Sequence, residues 1–131
     1  MIMLDTQEWL WWLHEPSRLS RRAARAVREA EEGDGMIVSA ISVWEVATKQ
    51  ALGKLRLPME IHEWFAAAVT YPGIILEPLS PLDAIDSTLL PGDFHRDPAD
   101  RIIVALARRH GVPLVTSDSL IHAYPHVKTI W

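Results

Sequence analysis

The 131-residue sequence predicts one α/β domain over residues 1–131, with a mostly parallel central sheet and helices on both faces. Three observations carry this. Short apolar runs alternate along the whole chain with stretches of helical periodicity, and hairpin signals are few. No repeat, linker or low-complexity segment divides the chain. Finally, 49% of the residues are hydrophobic and 23% charged, which excludes intrinsic disorder. A chain of this length buries enough surface to need no covalent staples.

The elements follow in order. Residues 1–6, MIMLDT, read as a short buried strand ending in Asp5 and Thr6. Residues 7–14 follow as a short helix, which Pro16 breaks. Between 17 and 32, Leu19, Ala23, Ala26, Val27 and Ala30 form an apolar stripe at helical spacing, stopped by Gly33-Asp34-Gly35. MIVS at 36–39 is a second strand. Ser42 then opens a helix that runs to about Leu52 and ends at Gly53, and Ser42-Val43-Trp44-Glu45 has the form of a capping box. Ile61, Trp64, Phe65, Ala68 and Val69 define an amphipathic helix over 59–70. IILE at 74–77 is a strand, Ser80-Pro81 opens a helix to about Leu89, and Pro91-Gly92-Asp93 is a loop. Asp97-Pro98 opens a helix that ends near Gly111. PLVT at 113–116 is a strand, and 127–130 a last one.

Composition narrows the chemistry. There is no cysteine, so disulfide scaffolds, thiolate metal sites and thiol catalysis are excluded. Thirteen basic and 17 acidic residues leave a formal charge of −4, which is not the balance of a simple electrostatic nucleic-acid binder. The longest apolar runs are six residues, Trp64–Val69 and Ile102–Ala107, whereas a membrane span needs about 20. The start, MIMLDTQEWLWWL, lacks the basic residues and cleavage site of a signal peptide, so the expected location is the cytoplasm. His122 and His126 are separated by Pro125 and do not share a helix face, which argues against a histidine zinc site.

Four acids occupy positions that a parallel sheet can bring to one edge, beyond the carboxyl ends of its strands. Asp5 ends the first strand. Asp118 lies just past PLVT. Glu45 is placed in the first turn of the helix after the second strand, and Asp100 in the first turn of the helix that feeds PLVT. Oxygen ligands of this kind suit hard divalent ions, Mg²⁺ or Mn²⁺. The same residues also have structural readings. Glu45 can cap its helix or pair with Lys49, Asp97 and Asp100 suit a helix start, and Asp118 suits a turn or cap. On pattern alone both readings stand.

Five stretches run in one order through the chain: MLDT (3–6), SAISVWEVATKQALGKLRLP (39–58), HRDPADRIIVALARRHG (95–111), LVTSD (114–118) and YPHVKTIW (124–131). Together they resemble the PIN-domain ribonucleases, specifically the toxin half of VapBC-type toxin–antitoxin pairs. The resemblance implies a PIN-like three-layer α/β/α fold. It implies a Mg²⁺- or Mn²⁺-dependent endoribonuclease, with the acidic metal site on Asp5, Glu45, Asp100 and Asp118. Asp97 falls on a further acidic position, and Thr6 and Thr116 on supporting hydroxyls. Relatives often carry histidine after the Asp-Thr pair, where this chain has Gln7. The implied partners are RNA, an antitoxin protein and a second copy in a homodimer. Lys49, Lys54, Arg56 and His95 are the candidate RNA contacts. A non-catalytic interaction module on the same fold is the alternative.

Two further features need a place. Arg18, Arg21, Arg22, Arg25 and Arg28 lie on the polar side of helix 17–32, as a phosphate-contact stripe or as a solvated face with Arg25–Glu29 and Arg28–Glu32 pairs. Trp9, Trp11 and Trp12 make the first helix apolar all round, and the resemblance makes them candidate antitoxin contacts. Successive helical residues point about 100° apart, so at least one of these indoles is expected at the surface.

Overall fold

The computed structural model describes residues 1–131. Five strands form one sheet: β1 (Ile2–Leu4), β2 (Met36–Ser39), β3 (Ile74–Glu77), β4 (Leu114–Val115) and β5 (Thr129–Ile130). All are parallel, in the order β3-β2-β1-β4-β5. The helices are α1 (Thr6–His14), α2 (Arg21–Glu32), α3 (Ala40–Ala51), α4 (Ile61–Val69), α5 (Pro81–Ser87), α6 (Pro98–His110) and α7 (Ser119–His122). The chain begins on the middle strand and winds outward to β2 and β3. It then crosses back to β4 and β5 on the other side. The winding therefore reverses between β1 and β4, where open α/β sheets keep their binding crevice.

Strand alternation explains the three layers. Ile2, Leu4, Met36, Val38 and Val115 face one way and pack with Trp9, Leu10, Val27, Trp64 and Ala68 from α1, α2 and α4. Met3, Ile37 and Leu114 face the other way, against Ile103, Leu106 and Ile121 from α6 and α7. Both faces are covered, which is why these strands read as unbroken apolar runs. Beside α6, Arg109 grips the buried Asp83 of α5 through two hydrogen bonds, of 2.6 and 3.0 Å. That grip holds the Asp83 carboxyl below the usual range.

The structure moves several expected boundaries. α3 starts at Ala40 rather than at Ser42, because the last residue of β2, Ser39, is itself the cap and accepts from the Ile41 N–H at 3.1 Å. Ser42 is then an interior, buried residue, and Glu45 lies in the second turn, so the capping box is not formed. Residues 17–32 are not one helix. Pro16–Arg18 make a 3₁₀ turn, Ser20 caps α2 through the Ala23 N–H, and Arg18 falls off the stripe. The first strand stops at Leu4, because Asp5 already caps α1.

β2 and β3 start side by side at two glycines. The Met36 N–H donates to the Gly73 carbonyl at 2.7 Å, and Gly35 has φ +93°. A Cβ on Gly35 would lie 2.7 Å from that carbonyl oxygen, whereas one on Gly53 (φ +72°) would meet nothing within 4 Å. Gly53→Ala should therefore cost about 1–2 kcal/mol, the strain of a left-handed L-residue. Gly35→Ala adds a backbone clash and should cost about 2–4 kcal/mol. Urea unfolding measures both, and equal losses would contradict this account of the β2–β3 start.

Candidate metal centre

The carboxyl ends of β1 and β4 open on a hollow of about 340 Å³ whose lining has no apolar side chain: Asp5, Thr6, Gln7, Glu8, Glu45, Lys49, Asp97, Asp100, Ser117 and Asp118. The four predicted acids and Asp97 are all among them. Each is placed by a local device. Asp5 leaves β1 and caps α1, its Oδ1 accepting from the Thr6 N–H at 2.8 Å. Its Oδ2 accepts from the Thr116 hydroxyl at 2.7 Å, just beyond β4. The Thr6 hydroxyl donates to Glu45 Oε1 at 2.6 Å and lies 2.8 Å from Ser42 Oγ, which ties α1 to α3. Asp97 caps α6 by accepting from the Asp100 N–H at 2.9 Å. Asp118 caps α7 through the Leu120 N–H at 2.8 Å, and its own N–H donates to Thr116 Oγ1 at 3.1 Å. Thr6 and Thr116 thus each hydrogen-bond to acids of the hollow.

One acid was missed. Glu8 lies in the first turn of α1 and is buried, and its Oε1 accepts from the Ser117 N–H and hydroxyl at 2.9 and 2.7 Å. The signal was available: a glutamate interrupts an otherwise apolar helix, three residues after Asp5.

Six carboxylates thus share the hollow with one lysine, Lys49. Burial raises the Asp5, Glu45 and Asp100 carboxyls above their ordinary range. Asp100 reaches about 7, because the charges of Asp5, Asp97, Asp118 and Glu45 add to its burial. Burial and the Asp5 charge push Glu8 to about 7 as well. No three acidic or histidine side chains form a closed cage for one ion. The acids instead ring the hollow with oxygen donors. That arrangement fits a hard cation that keeps several of its waters, and it has no thiolate for a softer metal.

The candidate RNA contacts divide. Lys49 lines the hollow. Lys54 and Arg56 are exposed and do not, since the chain after α3 turns away and Arg56 lines another depression with Gln50 and Met59. His95 Nε2 sits 2.9 Å from Asp100 Oδ2, so its first neighbour is an acid of the site. None of the five arginines of residues 17–32 lines the hollow, and Arg25 pairs with Glu29 at 3.0 Å as on an ordinary solvated face. His122 is occupied by the Thr116 carbonyl and the Thr129 hydroxyl.

The tryptophans of α1 also divide. Trp9 is fully buried, edge-on to Trp64 with ring centroids 5.1 Å apart, so it has no surface to offer a partner. Trp11 and Trp12 are half-buried. Trp11 lies between Trp131 and the Arg18 guanidinium. Trp12 packs on Tyr71 and donates to Glu31 at 2.8 Å. The expected surface indoles of this helix are therefore partly covered by their own chain. The exposed indole is Trp44 on α3, at 59%.

The chain is similar to several known proteins. The model of the PIN domain family matches residues 2–127. Ribonuclease VapC22 of Mycobacterium tuberculosis is 33% identical over 132 residues, covering 99% of this chain and 98% of that protein. Among solved structures, VapBC2 from Rickettsia felis bound to a promoter DNA fragment is similar with TM-score 0.71 at 13% identity, covering 98% of this chain and 97% of that one. A toxin–antitoxin complex from Klebsiella pneumoniae is similar with TM-score 0.64 at 19% identity, covering 97% and 95%. At these identities the structural likeness shows the fold.

The crowded acids set a pH dependence. Asp100 and Glu8 titrate near 7 when folded, but from ordinary values of 3.8 and 4.5 when unfolded. Between those limits the folded chain binds more protons. The stability these groups confer is complete below the unfolded values and is lost as pH rises through about 7. With chelator present, the chain should melt higher at pH 5.5 than at pH 8 (~5.5 and ~8 bracket the titration). Asp100→Asn should narrow the difference. A melting temperature that rises over that interval would contradict the crowding.

Proposed function

The chain belongs to the PIN-domain family, and from that premise we propose that it is a Mg²⁺- or Mn²⁺-dependent endoribonuclease, the toxin of a VapBC-type pair. The observation that carries the reading is the hollow itself: six carboxylates and one lysine at the point where the sheet reverses its winding. No helix cap or ion pair requires that density of like charge. A cation would offset that charge and let the hollow meet a substrate's phosphates.

Asp5, Glu45, Asp100 and Asp118 are the residues assigned to hold the ion. When bound, it would supply an activated water and offset the charge that builds on the phosphorus oxygens during hydrolysis. The chain's own groups set the geometry. Asp5 is held at both oxygens, by the Thr6 N–H and the Thr116 hydroxyl. Glu45 is aimed by Thr6. Asp100 is presented by the first turn of α6, which Asp97 caps. Arg101 pins the preceding loop by donating to the carbonyls of Ser87, Phe94 and His95 at 2.8–3.2 Å. Lys49, one turn after Glu45 on α3, is the group assigned to meet a substrate phosphate. Without a cation the hollow repels RNA.

The name of the 33%-identical relative supports a ribonuclease, and the toxin–antitoxin complexes among the structural relatives support an antitoxin partner. The part-exposed edges of Trp11 and Trp12 are the places on α1 where such a partner can still dock. A homodimer and a cytoplasmic site of action complete the proposal. The module reading without catalysis gives no account of the acids.

Asp100→Asn keeps the size of the side chain and removes its charge. It should slow cleavage of a mixed RNA pool on the order of a hundredfold, the scale for losing one preorganised charge-stabilising group. Chelator should stop the unaltered protein, and added Mg²⁺ or Mn²⁺ should restore it. Cleavage that ignores chelator, or a variant as fast as the parent, would overturn the assignment.

A further inference from the structure

Glu8 is the buried acid that the proposed reaction leaves without a role. An acid three residues after an Asp cap would ordinarily reach back to the cap's own N–H. Here that N–H is already used, since Asp5 donates to the Val115 carbonyl at 3.1 Å. Glu8 turns instead toward the exit of β4. Its Oε1 takes both available donors of Ser117, the N–H at 2.9 Å and the hydroxyl at 2.7 Å. Its Oε2 is buried without any hydrogen-bond partner. The residue is 1% exposed, yet it lines the acidic hollow with Asp5, Ser117 and Asp118.

A buried carboxylate oxygen of this kind is costly unless something meets it. Ser117 is spent on the other oxygen, and the charge acting most strongly on Glu8 is that of Asp5, of the same sign. A proton on Oε2 would find no acceptor either. A small turn of the carboxylate toward the hollow would let a cation there, or a water that it holds, supply what Oε2 lacks. We propose that Glu8 is a further cation-binding residue of this centre, offering Oε2 to a divalent ion or to a water of its shell on the Asp5–Ser117 side. This rests on the reading that the hollow takes such an ion.

Calorimetric titration with Mn²⁺ alone, without RNA, tests it on the full chain. Glu8→Gln keeps the acceptor for Ser117 and removes the charge. Glu8→Leu replaces a buried acid by an apolar side chain of similar volume, a change that folds are known to tolerate, and guards against a glutamine variant that fails to fold. Both should weaken Mn²⁺ binding about tenfold or more, while Ser117→Ala, which leaves Oε2 and the Ser117 N–H in place, should weaken it clearly less than either. Two results overturn the proposal while the site reading survives. One is a parent that binds Mn²⁺ with both Glu8 variants binding as well. The other is Ser117→Ala weakening binding as much as they do, which would make Glu8 only a support for its loop. A parent that takes up no Mn²⁺ overturns the metal reading itself, and this inference with it.

Discussion

β1 and β4 come from opposite ends of the chain, and their pairing is what the centre depends on. The Met3 N–H donates to the Pro113 carbonyl at 2.9 Å and the Asp5 N–H to the Val115 carbonyl at 3.1 Å. Beyond the last backbone bond, Thr116 reaches Asp5 across 111 positions of sequence. A slip of one residue would exchange Met3 with Leu4 between the two cores and turn Asp5 away from Thr116. The two apolar faces therefore hold the register that aims the acids. Because the winding reverses at this pair, no helix crosses over it, and the hollow stays open.

Helix capping and the crowding of the acids are one design. Asp5, Asp97 and Asp118 cap α1, α6 and α7, so three helix starts converge on the hollow. Their N–H groups hold the carboxylates in fixed positions and offer partial positive charge. That offset is incomplete, as the raised Asp5 and Asp100 carboxyls show. The fold keeps a repulsion that costs stability in the metal-free chain, a cost that the proposed cation site would explain. Such trade-offs are usual at functional sites.

Much of this was legible in the sequence, and the reasons are physical. Periodicity of 2 and 3.6 identified the strands and helices, and alternation of the two element types identified the parallel sheet. The acids could be placed because a parallel sheet sends all strand exits to one edge. The α3 start was misplaced because Ser39 and Ser42 both suit a cap, and only the end of the β2 ladder decides between them. Lys54 and Arg56 are near the site in sequence, but the turn after α3 carries them away from the hollow. Trp9 and Trp11 are two residues apart, so one faces the core and the other its rim, and composition cannot say which. Glu8 escaped notice because its helix reads as apolar, and its partner Ser117 lies 109 positions away.

This edge of the sheet is proposed to be a divalent-cation site. Anomalous diffraction from crystals of the unaltered protein grown with Mn²⁺ tests it most directly. A peak is expected inside the hollow, with oxygens of Asp5 and Asp100 at about 2.0–2.4 Å, a range for hard cations on carboxylates, and water at the remaining positions. Full Mn²⁺ occupancy elsewhere on the molecule, with the hollow empty, would contradict it.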